Sequence, residues 1–332
     1  MVIGFFLANG AFSSTNGIVS QALTWKKGLE DLGCKVILIN MWEQNEWKNF
    51  NAFIIYGFSV YSCEFISLLS KVNNNIFVAP ILDPDYSTNI LKLYSHWGSS
   101  RLRLTNPYYS FRTIRNKIKA ILVRSEFEKK YLVEGFGFRE EQCKIVPLSC
   151  GIPKGQRGNF HKEDFCLHIS LLCDQRKNVK RLIDASKKYK FPLVLGGKLR
   201  NDEEKRILFS WIEGNENIKY IGYLTDEEKL NLYKRARVFA LPSLNEGVGI
   251  VALEAAALGC DIVITNLGGP HEYYNKMAIT VNPYDIDEIG RSVCNFLNGE
   301  TFQPDLANFI ASNYSLETIS KKLLETLQQY GI

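Results

Sequence analysis

Two carboxylates separated by seven residues lie in a stretch that contains two glycines. Glu246 and Glu254 belong to the sequence NEGVGIVALEA. Gly247 and Gly249 allow a ligand to approach the backbone closely, because no side chain intervenes. A helix predicted to begin near Ile250 presents N–H groups and a partial positive charge, which suit a phosphate group. A carboxylate aimed at phosphate would repel it, so we expect each Glu to accept hydrogen bonds from hydroxyls. The stretch therefore predicts a nucleotide-sugar site.

A basic stretch without any acidic residue runs from Tyr86 to Ser125. Aromatic residues are interleaved with its cations, and the formal net charge of the whole chain is only +5. One interpretation is a solvated basic face, and the other is a surface for anionic lipid headgroups or a phosphorylated acceptor. No recognisable motif supports a nucleic-acid partner. The basic residues are Lys92, Arg101, Arg103, Arg112, Arg115, Lys117, Lys119 and Arg124.

Length and composition restrict the class of protein. The chain has 332 residues, of which 46% are hydrophobic and 23% charged, values typical of globular proteins. That length exceeds what one core usually supports, so two domains are predicted. We expect neither a signal peptide nor a membrane span, because no basic leader precedes the first apolar run and no uncharged apolar run approaches about 18 residues. None of the eight cysteines are spaced as C-x-x-C, which favours reduced cysteines in a cytoplasmic protein without a metal site.

The elements that must position these residues alternate between apolar runs and helical patterns. Such alternation indicates parallel βαβ units, so we predict an α/β protein with two doubly wound, Rossmann-like domains. Ligands of such sheets bind outside the carboxyl ends of the strands, and two facing domains would place the site in the cleft between them. The predicted strands are Val2–Ala8, Cys34–Asn40, Ala52–Phe58, Asn75–Ile81, Ala120–Arg124, Lys144–Cys150, Phe165–Leu171, Leu193–Gly197, Ile218–Gly222, Val238–Leu241 and Asp261–Thr265.

Four segments follow from this pattern. Residues 1–152 form the first predicted domain, and the polar residues 153–164 form a linker. Residues 165–314 form the second domain, which carries the nucleotide-sugar site. Residues 315–332 form a terminal helix with one apolar face.

The spacing of the two carboxylates resembles a known signature. The frame P-S-x-x-E-G-x-G-x-x-x-x-E-A, residues 242–255, is similar to that of retaining glycosyltransferase family 4, which has the GT-B fold. Segments around it agree in order, including Arg176-Lys177-Asn178 before it and Gly268-Gly269 after it. The match is dense after residue 165 and thin before residue 120. By this resemblance the terminal helix packs back on the first, acceptor-side domain.

The resemblance implies a role for each matching residue. Glu254 would hold the nucleotide ribose, and Glu246 would bind hydroxyls of the transferred sugar. Lys177 would offset the negative charge that the leaving nucleoside diphosphate takes up. Glu246 and Lys177 are therefore the catalytic candidates, with neither metal nor cofactor besides a UDP- or GDP-linked sugar. Further donor contacts are implied at Gly247, Val248, Gly249, Ile250, Val251, Asn16, Gly17, Tyr223 and Leu224.

Three positions depart from the family pattern. Leu171 stands where the family usually has an arginine, so Arg176 or Arg181 would have to substitute for it. Val251 replaces the usual proline of the signature. Leu82 replaces the acceptor-side histidine that many members carry at the end of a strand of the first domain.

The leading hypothesis is a retaining glycosyltransferase that moves a sugar from a nucleoside-diphosphate donor to a hydroxyl acceptor. By family resemblance, the acceptor is a glycan or lipid-linked glycan of a bacterial surface polysaccharide. The expected location is the cytoplasm, with an anionic membrane surface as a further candidate partner. The alternatives are a non-catalytic GT-B partner subunit and a nucleotide-sugar epimerase. No convincing set of acid/base residues in the first domain supports the epimerase.

Overall fold

The computed structural model describes residues 1–7, 17–99, 101–102, 104–153, 155 and 160–332. They form two compact units, the first made of Met1–Ser149 with Leu316–Ile332 and the second of Cys150–Ser315. None of the described helices is long and apolar enough to cross a membrane. All eight cysteines lie in the described residues and are free thiols.

The first unit is built on parallel strands with helices between them. The described strands are β1 (Val2–Leu7), β2 (Lys35–Leu38), β3 (Ala52–Tyr56), β4 (Ile76–Ala79), β5 (Ala120–Val123) and β6 (Cys143–Ile145). The described helices are α1 (Gly17–Asp31), α2 (Val60–Leu69), α3 (Thr88–His96), α4 (Pro107–Thr113) and α5 (Glu126–Phe136). The strands pair in the order β2-β1-β3-β4-β5-β6. Every residue of β3, β4 and β5 is buried, as expected for strands covered on both faces.

The second unit repeats this architecture. Its described strands are β7 (Glu163–Ile169), β8 (Leu193–Gly196), β9 (Ile218–Tyr220), β10 (Ala236–Leu241), β11 (Asp261–Thr265) and β12 (Ile279–Val281). Its described helices are α6 (Val179–Tyr189), α7 (Asp202–Ile212), α8 (Asp226–Arg235), α9 (Ile250–Ala257), α10 (Ile286–Leu297) and α11 (Asp305–Asn313). The strands pair in the order β12-β11-β10-β7-β8-β9, and all recorded pairings are parallel. The predicted α/β class is confirmed.

The predicted linker ends two residues too late, because β7 already begins at Glu163. The side chains of Glu163 and Asp164 pair with Arg235 and Arg237 of the adjacent segment, at 2.6 Å in both cases. Ion pairs of this kind suit charged residues at an exposed strand end, where the polar sequence predicts a connection.

The last helix, α12 (Leu316–Gln328), belongs to the first unit. It buries Ile319, Leu323 and Leu327 on one face, and its Ser320 lies against Gly28 of α1. The chain therefore leaves the first unit, builds the second, and returns.

Candidate functional site

The loop between β10 and α9 carries the first carboxylate and lies against the loop after β11, and each of the two loops contains a glycine in the left-handed conformation. Gly249 has a φ of +72° and precedes the helix that begins at Ile250, as predicted. Gly268, with a φ of +79°, lies on the loop after β11, and a Cβ there would stand 2.4 Å from the backbone oxygen of Glu246. Residues other than glycine rarely adopt this backbone conformation. The glycines therefore bring two loops together at the carboxyl ends of their strands.

Lys177 and Glu246 form an ion pair at this edge of the sheet. The Nζ of Lys177 lies 2.6 Å from Oε2 of Glu246, and both side chains are largely buried, with 22% and 14% exposure. The hydroxyl of Ser243 lies 3.3 Å from the same oxygen. Lys177 ends a 3₁₀ turn, Gln175–Lys177, that follows β7. The structure thus brings together the two residues predicted to be catalytic, which are separated by 69 residues in the sequence.

Asn178 anchors this turn, although sequence reasoning gave it no role. It is buried and has a φ of +58°. Its side-chain amide donates to the carbonyls of Pro242 at 2.9 Å and Pro283 at 2.7 Å, after β10 and β12 respectively. In addition, the N–H of Leu244 donates to the carbonyl of Arg176 at 2.7 Å. These bonds fix the loops that carry Lys177 and Glu246. In the sequence, the signal for this role is an Asn directly after the candidate lysine, because Asn tolerates the left-handed conformation that a tight turn requires.

Glu254 lies about one turn inside α9, and its environment favours a proton. The hydroxyl of Tyr233 donates to Oε2 of Glu254 at 3.2 Å. Burial raises the pKa of Glu254, while the nearby Lys229 and the Tyr233 hydrogen bond act in the opposite direction. A Cβ at Gly151 would lie 3.7 Å from Oε1. The carboxylate can accept a further hydrogen bond from a hydroxyl group of a ligand.

The amides that follow the first carboxylate lead into the start of α9. Ile250 and Val251 stand in the first turn of the helix, where N–H groups have no intrahelical acceptor. The side chain of Val248 is buried, while Gly247 is half-buried. Such a turn can receive an anion through its backbone.

The remaining predicted donor contacts are distributed over both units. Leu224 is buried, and Tyr223 beside it exposes 68% of its surface. Gly17 begins α1 of the first unit and is exposed. Asn16 lies outside the described residues. These four positions keep their assignment as predictions.

The two arginines proposed to replace the missing one already have carboxylate or amide partners. A guanidinium nitrogen of Arg176 lies 2.7 Å from Oδ2 of Asp174. Arg181 donates to Oδ1 of Asn178 at 2.8 Å and lies over the ring of Tyr284. Leu171 itself is 39% exposed. Lys177 is therefore the cation that lies in contact with the predicted sugar-binding carboxylate.

A buried ionic cluster surrounds the position that usually carries the acceptor-side histidine. Leu82 is buried, and its N–H donates to Oε1 of Glu128 at 2.6 Å. Arg124 donates to Glu128 at 3.0 Å and to Asp83 at 2.5 Å. The neighbouring carboxylates raise the pKa of Arg124 against the effect of burial. The assignment of Arg124 to a basic surface is therefore wrong, because its charge is neutralised inside the first unit.

One histidine was missed by the sequence analysis. His168 on β7 is fully buried, with Nδ1 2.8 Å from the carbonyl of Ala240 and Nε2 2.7 Å from the hydroxyl of Ser170. Burial lowers the pKa of His168 to about 4. The neutral ring thus links β7 to β10 beneath the loop that carries Glu246.

Among the described residues, no group of three or more His, Cys, Asp or Glu side chains is placed to hold a metal ion.

Comparison with known proteins adds two kinds of finding. Residues 154–315 match the model of the family described as Glycosyl transferases group 1. The O-antigen chain mannosyltransferase B of Escherichia coli is 25% identical over 205 residues, which make up 56% of this chain and 53% of that protein. This chain therefore matches about half the length of that relative.

Solved structures agree over nearly the whole chain. Sucrose-phosphate synthase from Thermosynechococcus elongatus superposes with a TM-score of 0.75 at 15% identity, covering 99% of this chain and 98% of its own. The Anabaena protein HepE, solved in complex with UDP and glucose, gives 0.68 at 14% identity, with coverages of 98% and 99%. At these identities the likeness concerns the fold, and it confirms the predicted GT-B class.

Proposed function

Because residues 154–315 match the model of the family of glycosyl transferases group 1, we propose that this protein is a retaining glycosyltransferase. It takes a sugar from a nucleoside-diphosphate donor and passes it to a hydroxyl acceptor without a metal ion. The related O-antigen mannosyltransferase supports mannose as the sugar and a bacterial polysaccharide, free or lipid-linked, as the acceptor. The HepE complex with UDP shows a nucleoside diphosphate bound by a protein of the same fold.

The observation that carries this proposal is the contact between Lys177 and Glu246, 2.6 Å apart at the loop before α9. The ammonium group suits the pyrophosphate, and the carboxylate suits the hydroxyls of the sugar attached to it. A donor that bridges the pair would engage both charges at the bond that breaks. Glu254, further along α9, would accept hydrogen bonds from the ribose.

The proposed transfer follows from these positions. The bond between the sugar C1 and the phosphate oxygen breaks, and its electron pair stays with the nucleoside diphosphate. Lys177 and the amides of Ile250 and Val251 stabilise the negative charge that grows there. The acceptor oxygen forms its bond to C1 on the face that the phosphate leaves, and its proton passes to the departing phosphate. The configuration at C1 is therefore retained.

Replacing Lys177 by Ala tests this proposal. We expect kcat to fall about a hundredfold or more, with a smaller rise in the donor KM, because the charge on the leaving group grows towards the transition state. The matched control is Lys180→Ala, which removes an exposed lysine paired with Asp184. Transfer is measured with GDP- and UDP-linked sugars, and EDTA should leave it unchanged. A chain that binds donor but transfers and hydrolyses none would contradict the proposal and favour a non-catalytic partner subunit.

Glu246→Gln separates the sugar from the nucleotide. The variant should bind the nucleotide sugar less tightly, by about tenfold or more for a lost charged hydrogen bond. Its affinity for the nucleoside diphosphate should be maintained or increased, because Lys177 loses its ion-pair partner. Equal weakening of both ligands in calorimetric titrations would show that the division of roles between the two carboxylates is wrong.

A further inference from the structure

The segment that includes α3 and the residues after it exposes several large apolar side chains that are close together in the sequence. Trp97, Leu102 and Leu104 are exposed by 75%, 71% and 63%, and Leu93 on α3 is exposed by 66%. Isolated exposed apolar residues are ordinary, whereas a group of them marks an interaction site. Four such side chains within twelve residues therefore call for a partner.

This segment is held in a defined turn. Ser99 and Leu104 exchange backbone hydrogen bonds of 2.8 and 3.1 Å, so that Arg101 and Leu102 lie at the tip of the turn. The amide of Asn106 donates to the carbonyl of Trp97 at 2.6 Å. A Cβ at Gly98 would meet the ring of Tyr109 at 2.5 Å. We call the described residues 97–99, 101–102 and 104–106 the docking turn, in which the side chains of Trp97, Leu102 and Leu104 are exposed.

The sequence stretch that contains the docking turn carries only positive charges. The sequence holds no Asp or Glu from residue 86 to residue 125. Lys92 on α3, Arg101 at the tip and Lys117 are exposed. Arg124 is excluded because it is buried against Glu128 and Asp83. The exposed apolar side chains thus stand in a stretch whose own charges are all positive, and Glu64 of α2 lines a groove together with Thr105 and Tyr109.

We propose that the docking turn binds an anionic lipid membrane. Trp97, Leu102 and Leu104 enter the interfacial layer, and Lys92 and Arg101 contact the headgroups. Lasting attachment to a bilayer needs two signals, apolar insertion and a basic patch, and this surface supplies both. The proposal goes beyond sugar transfer and does not depend on it, since none of these residues belongs to the donor site.

Vesicle sedimentation with the full chain tests the proposal. We expect binding to vesicles of phosphatidylcholine with phosphatidylglycerol, and little to phosphatidylcholine alone. Added salt should weaken binding, because charges are screened beyond about 10 Å at 0.1 M salt. Lys92→Glu with Arg101→Glu should lower the partition coefficient at least about twentyfold, since each basic residue contributes about fivefold. The control is Lys205→Glu with Arg206→Glu, an exposed basic pair on α7.

The apolar part is tested separately. Trp97→Ser with Leu102→Ser should also release the protein, whereas Trp42→Ser should not, although Trp42 is 96% exposed. Brominated lipids should quench the fluorescence of the wild type, and Trp97→Phe should abolish that quenching while binding persists. Unchanged binding in both patch variants would overturn the proposal. A wild-type dimer that light scattering shows to be lost in the patch variants would also overturn the proposal, because the surface would then bind a second copy of the chain. Nucleotide affinity should stay constant throughout, so failure here is distinct from failure of the proposed transfer.

Discussion

Glu254 should make nucleotide binding depend on pH. Burial raises the pKa of its carboxyl group above the ordinary value of 4.5. As the pH falls through that raised pKa, the carboxylate takes a proton and the ribose hydroxyls lose a charged acceptor. We expect a loss of about 1.5–3 kcal/mol in binding free energy, measured by calorimetry with GDP and UDP between neutral and acidic pH.

The variant Glu254→Gln provides the comparison. It should bind nucleotide weakly at neutral pH and show no further loss attributable to this group in acid. Dividing the nucleotide affinity of the wild type by that of the variant at each pH cancels the effect of protonation of the nucleotide's own phosphate. Glu227→Gln, at an exposed position on α8, serves as the control. Wild-type affinity in Glu254→Gln at neutral pH would exclude Glu254 from the donor site.

At the scale of elements, the site depends on how closely the loops after β10 and β11 approach each other. Gly268→Ala places a methyl group 2.4 Å from the backbone oxygen of Glu246 and also strains a left-handed residue. We expect a lower free energy of unfolding and weaker binding of the nucleotide sugar, because the loop that carries Glu246 must move. Urea unfolding and donor titration measure the two effects.

Gly214→Ala is the matched control for that substitution. Gly214 has a φ of +76°, close to that of Gly268, but a Cβ there meets nothing within 4 Å. It therefore reports the backbone strain alone, about 1–2 kcal/mol. Equal destabilisation of both variants, with donor affinity intact, would show that the contact between the loops is unimportant.

At the scale of the whole molecule, the chain closes its first unit with its last helix. A Cβ at Gly28 of α1 would lie 1.7 Å from Oγ of Ser320 on α12. Gly28→Ala should thus loosen α12 and lower the melting temperature of the first unit, although Ala in a helix normally stabilises by about 1 kcal/mol. The test is whether the melting temperature falls or rises. Hydrogen exchange of the α12 amides then measures whether that helix has loosened.

Ser320→Gly in the Gly28→Ala background should restore much of the melting temperature, because it removes the two atoms that lie within 3 Å of the new methyl group, Oγ and Cβ of Ser320. Failure of this rescue, or a stabilising effect of Gly28→Ala alone, would show that the close approach of the two helices does not limit stability. Nucleotide binding by the second unit provides a separate check that the chain is folded.

The sequence alone predicts the α/β class, eleven of the described strands and the two carboxylates on either side of the start of α9. These features depend on periodicity, glycine conformation and spacing over a few residues, so a local pattern is sufficient to predict them. Strand ends were placed up to five residues too far, as at Cys150, because apolar runs continue past the last ladder bond. The three-residue strand β12 was missed, since so short a run carries little periodic signal.

Which distant residues meet is seen only in the folded protein. Three contacts join residues that are remote in the sequence. They are the ion pair of Lys177 with Glu246, the hydrogen bonds of Asn178 to Pro242 and Pro283, and the ion pair of the buried Arg124 with Asp83. A count of charges could not separate buried Arg124 from exposed Arg101, because both are arginines in one basic stretch. The free energy of an ion pair depends on distance and burial, and those quantities exist only once the sheets have assembled.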